Sequence, residues 1–228
     1  MRVGYRLFIS LTACVLGGVI VFLAVPRTVG AFSLLLVEPI RQQMRERQEV
    51  PVERLLALQE AQAAVYAALP SGGLAFYKSI TESAIARIFP GENPERELWN
   101  DRAQSSVEQS VLVAPGESYA WYRLAFLRMQ GGEDFYPAAK AALVYSVLTG
   151  PREQPLLFER IETAIRMWDR LSEDEVALME DQILWADQVS QSRLIRIAKR
   201  NRKSLMVIFA AMAKDLNRFQ PFVERFNR

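Results

Sequence analysis

The 228-residue chain has no histidine and one cysteine. Without histidine there is no imidazole proton shuttle, no Ser-His or Cys-His nucleophile and no imidazole metal ligand. Cys14 sits alone in an apolar N-terminal run, so intrachain disulfides and thiolate metal sites are excluded as well. This is neutral about compartment, because a helical domain of about 190 residues builds an adequate core without disulfides. Alternating apolar–polar runs of strand length are also missing, which makes the fold class all-α. Nothing in the sequence calls for a cofactor or a metal. The formal net charge is only +2, but it is unevenly spread. Residues 193–228 hold ten Lys and Arg against Asp215 and Glu224, a net of +8, while residues 1–192 carry a net of −6.

What the chain does have begins at its N-terminus. Residues 7–25 are 19 consecutive uncharged residues between Arg6 and Arg27. As a helix they nearly span a hydrocarbon core of about 30 Å. The run is longer than the ~7–15 apolar residues of a cleavable leader, although Val29-Gly30-Ala31 offers a cleavage site and keeps that alternative open. A buried soluble helix would need a polar face, and this run offers only Ser10 and Thr12. The reading is a single-pass anchor over residues 1–26, spanning at 7–25. Arg2, Arg6 and the α-amino group precede the run, and Arg27 stands alone just after it. This bias places the N-terminus in the cytoplasm and the bulk of the chain across a bacterial inner membrane, in the periplasm. A second uncharged run, 29–37, is too short to span and reads as an interfacial continuation. With the charged 38–49 it forms an interfacial segment and stalk over 27–50.

Beyond Pro51 the chain reads as helices separated by Gly/Pro punctuation, with a helical-hairpin domain over 51–192 and a basic C-terminal capping region over 193–228. Leu55, Leu58, Ala61, Val65 and Leu69 recur at helical spacing, and Tyr77, Ile80, Ala84 and Ile88 mark a next helix. The segment Pro90–Pro94 breaks the chain before a helix over 98–113. Ser172-Glu173-Asp174-Glu175 is a capping box that opens a helix to about Val189, and a final helical region is broken near Pro221. The uncharged run 204–213 is too short to span and reads as a buried helix closing the stack. Trp99, Trp121, Tyr122, Trp168 and Trp185 sit at helical spacing and read as core.

Sliding 98–118 along the chain by 36 residues onto 134–154 gives six identities: Ala103/Ala139, Ser110/Ser146, Val111/Val147, Leu112/Leu148, Pro115/Pro151 and Glu117/Glu153. Chance gives about one or two in such a window. A period near 35 residues with two helices per unit means stacked helical hairpins that bind other molecules.

Within that repeat, Trp121, Leu124 and Ala125, followed by Ala139, Leu143, Ser146 and Pro151, resemble a tetratricopeptide repeat. The fit needs two extra residues in the turn, which Gly131-Gly132-Glu133-Asp134 supplies. The chain departs from the pattern at Arg128, where an aromatic is preferred, and the helix before the repeat ending at Pro115 matches poorly. The whole layout is loosely similar to repeat proteins of bacterial surface-polysaccharide loci that carry one N-terminal anchor. The resemblance implies a TPR-like α-solenoid: an adaptor or scaffold with no enzyme activity, binding a protein partner, itself a membrane protein, in exopolysaccharide assembly or export. First helices line the concave face in that family, which makes Arg123 and Arg128 its partner-binding residues here.

Three other features point to chemistry. Glu117-Ser118 resembles the Glu-Ser of lytic transglycosylases, but the rest of their signature is absent, and an acidic residue before a helix also suits the dipole. The acidic cluster 173–175 could hold a cation, yet it lacks the glycine and spaced oxygen ligands of a calcium loop. Arg193, Arg196, Lys199, Arg200, Arg202 and Lys203 share helix faces. They either bind an anionic lipid, an anionic glycan or an acidic partner, or face the chain's own acidic body. Nucleic acid is not expected, because no aromatics are interleaved to stack bases. A glycan-modifying enzyme and a membrane-surface module using the C-terminal region stay as alternatives to the adaptor.

Overall fold

A computed structural model describes the backbone of residues 2–46 and 48–228, and the side chains of all of these except 2–13, 23, 26, 33 and 34. Among the described residues there are eleven α-helices, two 3-10 turns and no strand. The fold is all-α, as expected. The chain divides into two compact units, Met1–Val113 and Ala114–Arg228. The division falls in the Ala114-Pro115-Gly116 turn, inside the segment 51–192 that the sequence presents as one domain.

The first unit holds α1 (Arg2–Leu36), α2 (Glu38–Arg45), α3 (Val52–Ala68), α4 (Gly72–Ala86) and α5 (Pro94–Val113). Helix α1 runs without interruption through both uncharged runs. Within it, Cys14–Phe32 is long and apolar enough to cross a membrane, with a mean hydropathy of 1.9. This window starts seven residues beyond the expected 7–25; Arg2, Arg6 and residues 7–13 lie outside the described side chains. Residues 14–22 are all exposed, so the helix is apolar around its whole circumference with nothing of its own chain to cover it. Near the C-terminal end the situation changes. Gly30 is buried, and a Cβ there would stand 3.0 Å from Val65 Cγ1. The last turns of α1 therefore pack on α3 and belong to the folded unit.

Helix α2 is closed by one carboxylate and two guanidiniums: Glu38 pairs with Arg41 at 2.9 Å and with Arg45 at 2.6 Å. The hydrogen bond from Arg45 holds the Glu38 carboxyl below its ordinary value. In α3 the predicted Leu55, Leu58 and Val65 are buried, joined by Gln62. The helix marked by Tyr77, Ile80 and Ala84 is α4, with Ile88 just beyond its end; Tyr77 and Ile88 are exposed. The buried face carries Ala75, Ser79, Glu82, Ile85 and Ala86. Small residues let α4 and α5 approach closely, and a buried carboxylate ties them. Pro94 opens α5 instead of breaking the chain, with Asn93 accepting a hydrogen bond from the Glu95 amide at 2.9 Å.

The second unit holds α6 (Ser118–Gln130), a 3-10 turn (Glu133–Phe135), α7 (Tyr136–Thr149), α8 (Gln154–Arg166), a second 3-10 turn (Trp168–Arg170), α9 (Glu173–Ala198), α10 (Arg202–Met212) and α11 (Leu216–Phe226). Its core joins Leu157 and Ile161 of α8, Ile183 and Leu194 of α9, Ile208 and Ala211 of α10 and Phe222 of α11. The uncharged run 204–213 therefore lies on a helix that buries one face, Val207, Ile208, Ala211 and Met212, and leaves Met206 exposed. Helix α9 crosses the expected 192/193 boundary and bends at Ser190, its one non-helical residue (φ −162°, ψ 88°). Pro221 does not break the last region; the break is at 213–215, where Asp215 caps α11. Pro221 removes one backbone donor, but Phe219, Phe222 and Phe226 pack their rings on Phe209 at 5.8, 5.6 and 5.1 Å and hold the helix together across it.

All six repeat identities play the same part twice. Ala103 and Ala139 are fully buried where the second helix of a pair meets the first. Ser110 Oγ donates to the carbonyl of Gly72, the first residue of α4, at 2.8 Å, and Ser146 Oγ donates to the carbonyl of Ser118, the first residue of α6, at 2.8 Å. Each bond joins the end of one helix to the start of its predecessor, which makes α4–α5 and α6–α7 antiparallel hairpins. Val111 and Val147 are buried, whereas Leu112 and Leu148 face outward at 80% and 60% exposure. Pro115 and Pro151 lie in the turns that follow, and Glu117 and Glu153 are the N-cap residues of α6 and α8.

Candidate functional site

The C-terminal cations turn inward on their own unit. Arg193 pairs with Glu159 at 2.8 Å and lies 4.4 Å over the Phe158 ring; Arg200 pairs with Glu162; Lys203 pairs with Asp169 at 2.6 Å. The hydrogen bond from Lys203 holds the Asp169 carboxyl below its ordinary value. Lys199 stands 5.0 Å over the Phe226 ring. Of the six, Arg196 and Arg202 are exposed without such a contact. The basic stretch thus closes α9 and α10 onto α8 and its following turn.

Arg123 and Arg128 are both half-buried on α6. Arg128 Nη1 donates to the Ala138 carbonyl at 3.2 Å, tying α6 to the start of α7. The repeat-packing residues Leu124, Ala125, Ala139, Leu143 and Ser146 are all buried, and Trp121 is half-buried.

The outward face of α7 is different. Ala141, Tyr145 and Leu148 fall at i, i+4 and i+7, all exposed, opposite the packed positions Ala139, Leu143 and Ser146. Tyr145 is 51% exposed and stacks on Trp121, with ring centroids 4.8 Å apart. Trp121 is in turn fixed by its indole N–H, which donates to the Pro115 carbonyl at 2.7 Å. The result is a rigid aromatic–aliphatic stripe on a hairpin. Sequence reasoning took Trp121 for core and passed over Tyr145 and Leu148. The signal was there: both fall off the small-residue face of α7, and Leu148 repeats Leu112.

Behind that stripe the hairpin is anchored by a fully buried arginine. Arg160 of α8 donates from Nε to Ser146 Oγ at 3.0 Å, from Nη2 to the Ser146 carbonyl at 2.6 Å and from Nη1 to the Gly150 carbonyl at 2.8 Å. These bonds satisfy the C-terminal carbonyls of α7. Burial pulls the Arg160 guanidinium down to about 10, opposed by the charge of Glu153. It remains cationic at neutral pH. Tyr119, hydrogen-bonded to the same Glu153, is pushed up, first by burial. Gly150 is required here, because a Cβ would meet Ser118 Oγ at 2.7 Å and Glu153 Cγ at 2.8 Å.

The remaining candidates are caps. Glu117 is exposed and its carboxylate accepts from the Tyr119 amide at 3.4 Å. Ser172 and Glu175 form the expected capping box, at 3.3 and 2.7 Å. Lys140 of α7 adds an ion pair to Glu175 at 2.9 Å. Burial raises the Glu175 carboxyl, but the Ser172 amide and Lys140 together outweigh it, and its value is lowered. A carboxyl lowered in the folded state stabilises above its unfolded value and loses that stabilisation as pH falls through the folded one. Glu175→Gln is therefore expected to cost about 1 kcal/mol at pH 7 and progressively less below pH 4.5. Urea unfolding of both proteins at pH 7 and pH 3 measures this; a constant difference would contradict it.

No family model, curated protein or solved structure matches this chain.

Proposed function

We propose that this protein is a membrane-anchored adaptor. Helix α1 holds it to the bilayer, and the hairpin of α6 and α7 docks a protein partner on the Trp121–Tyr145–Leu148 stripe. The observation that carries this reading is that stripe: large apolar groups left exposed at rotationally matched positions and locked in place by stacking and an indole hydrogen bond. Aromatic anchors on rigid elements are what interface hot spots are made of. The repeat chemistry of the hairpins supports a TPR-like binding scaffold that does no chemistry and needs no cofactor. The charge bias around the N-terminal run supports a bacterial inner-membrane location with the helical units in the periplasm. The likeness to anchored repeat proteins makes surface-polysaccharide assembly or export the pathway to examine first, with another membrane protein as the partner.

The test is capture from gently solubilised native membranes using a C-terminal tag. The expected result is stoichiometric recovery of a membrane protein by the wild type and its loss with Tyr145→Asp/Leu148→Asp. Two hot-spot positions of about 2 kcal/mol each lower affinity by roughly 700-fold if they add, and by roughly 30-fold if only one of them counts. Both side chains are exposed, so the melting temperature should barely move. Undiminished recovery by the double variant would remove the stripe from the interaction.

A further inference from the structure

The first unit contains a cavity of about 790 Å³ among α2, α3 and α4. Its size falls within the range of about 300–1,000 Å³ typical of small-molecule sites. The floor is apolar, built by Leu55, Leu58 and Ile80, with Ala84 and Ile88 beside them. The rim is cationic. Arg41, Arg45 and Arg87 border it; the first two share the single carboxylate of Glu38, and Arg87 is exposed with no ion pair among the described residues. Arg41 is held in position by stacking 4.6 Å over the Tyr77 ring. Glu49 also lines the cavity, and the lining still keeps a cationic excess.

One wall residue has no explanation within the chain. Gln62 is 1% exposed, lines the cavity, and its Oε1 has no hydrogen-bond partner among the described residues. Buried amides are kept when something pairs with them. An apolar floor, a cationic rim and one unpaired buried amide define a complementary molecule: an apolar chain, an anionic head and a hydroxyl or N–H near the head or along the chain. The cavity's first wall, α2, follows directly on α1, the helix apolar enough to sit in a bilayer. That adjacency gives such a molecule a source in the membrane itself.

We propose that this cavity binds a single-chain anionic membrane lipid of the lysophospholipid type. The chain lies on Leu55, Leu58 and Ile80, the phosphate meets Arg41, Arg45 and Arg87, and a hydroxyl pairs with Gln62. The site is separate from the partner-docking stripe and does not depend on it.

The test uses the full-length protein in phosphatidylcholine nanodiscs with 1-palmitoyl-lysophosphatidic acid carrying a diazirine in its chain. After irradiation, labelled peptides are identified by mass spectrometry. Label is expected on 52–68 and 72–88 as well as on α1. Unlabelled lysophosphatidic acid should displace the label from α3 and α4, whereas monopalmitoylglycerol, with no charge, and glycerol 3-phosphate, with no chain, should not. Ala84→Trp, which fills the cavity, and Arg87→Glu, on an exposed side chain that folding does not need, should each lower the α3 and α4 label at least fivefold while the α1 label stays constant. Label confined to α1, equal displacement by either control compound, or an undiminished signal in Arg87→Glu would overturn the proposal.

Discussion

Replacing Arg160 with methionine is expected to destabilise the second unit by about 3 kcal/mol, and replacing it with alanine by about 5 kcal/mol. The side chain is fully buried and makes three hydrogen bonds, to Ser146 Oγ, the Ser146 carbonyl and the Gly150 carbonyl. Removing it takes the shortest donor from each of two carbonyls at the end of α7 and a donor from the buried Ser146 hydroxyl, losses of about 1 kcal/mol or more each. Two effects compete. Burying a guanidinium is costly, as its lowered value shows, and an apolar replacement of similar length recovers part of that cost. The donors that remain are longer, the Glu153 amide at 3.3 Å from the Gly150 oxygen and Thr149 Oγ1 at 3.5 Å from the Ser146 oxygen, so the loss wins. Alanine adds an empty cavity, which sets the order of the two variants. Lysine keeps the charge but cannot serve three acceptors in a fork, so it should fall between the wild type and methionine. For a chain of this length 1 kcal/mol moves the melting temperature by about 2–4 °C, so the alanine variant should melt at least ~10 °C lower. A methionine variant as stable as the wild type would mean that the guanidinium's desolvation cancels all three bonds.

How much of this was legible in the sequence follows from what each residue's role depends on. The hairpins were legible because their code is local and repeated. A small residue at 103 and 139, a serine at 110 and 146 and a proline at 115 and 151 each act within one helix pair, and the structure uses both members of every pair alike. The Ser172 capping box was legible for the same reason, since its partners are three residues apart. Arg160 was not legible. The residue 36 positions before it is Leu124, so the repeat carries no hint of a buried cation, and its acceptors lie 10 and 14 residues away. The buried face of α4 was not legible because it is built of small and polar residues, Ala75, Ser79, Glu82 and Ala86, which leave no apolar stripe in the sequence. The C-terminal cations were legible as charges but not as pairs, since Glu159, Glu162 and Asp169 are 34 to 38 residues distant. Tyr145 and Leu148 were hidden by a habit of assigning every large apolar residue to the core, although a folded surface always retains some.

Glu82→Ala should be the most damaging single change in the first unit, at about 3 kcal/mol, with Glu82→Gln at about half that. The carboxylate is 1% exposed. Ser106 Oγ of α5 donates to its Oε2 at 2.6 Å, while Gln59 of α3 and Lys78 of α4 approach Oε1 at 3.4 and 3.5 Å. One side chain thus joins all three helices. Alanine leaves the Ser106 hydroxyl without its acceptor, strands the neighbouring donors and opens a void. Glutamine fills the space and still accepts from Ser106, but its amide N–H then faces the donors of Gln59 and Lys78. Ser106→Ala alone removes one bond and should cost about 1 kcal/mol. Because both changes delete the same bond, the double variant should cost less than the two added together, by roughly the worth of that bond. Denaturant unfolding of the four proteins gives the coupling directly, and strict additivity would show that the 2.6 Å contact contributes nothing. Hydrogen exchange adds where the effect is felt. Thr81, next to Glu82, lines the cavity among α2, α3 and α4, so the amides of α4 should lose protection in Glu82→Ala before those of the second unit change.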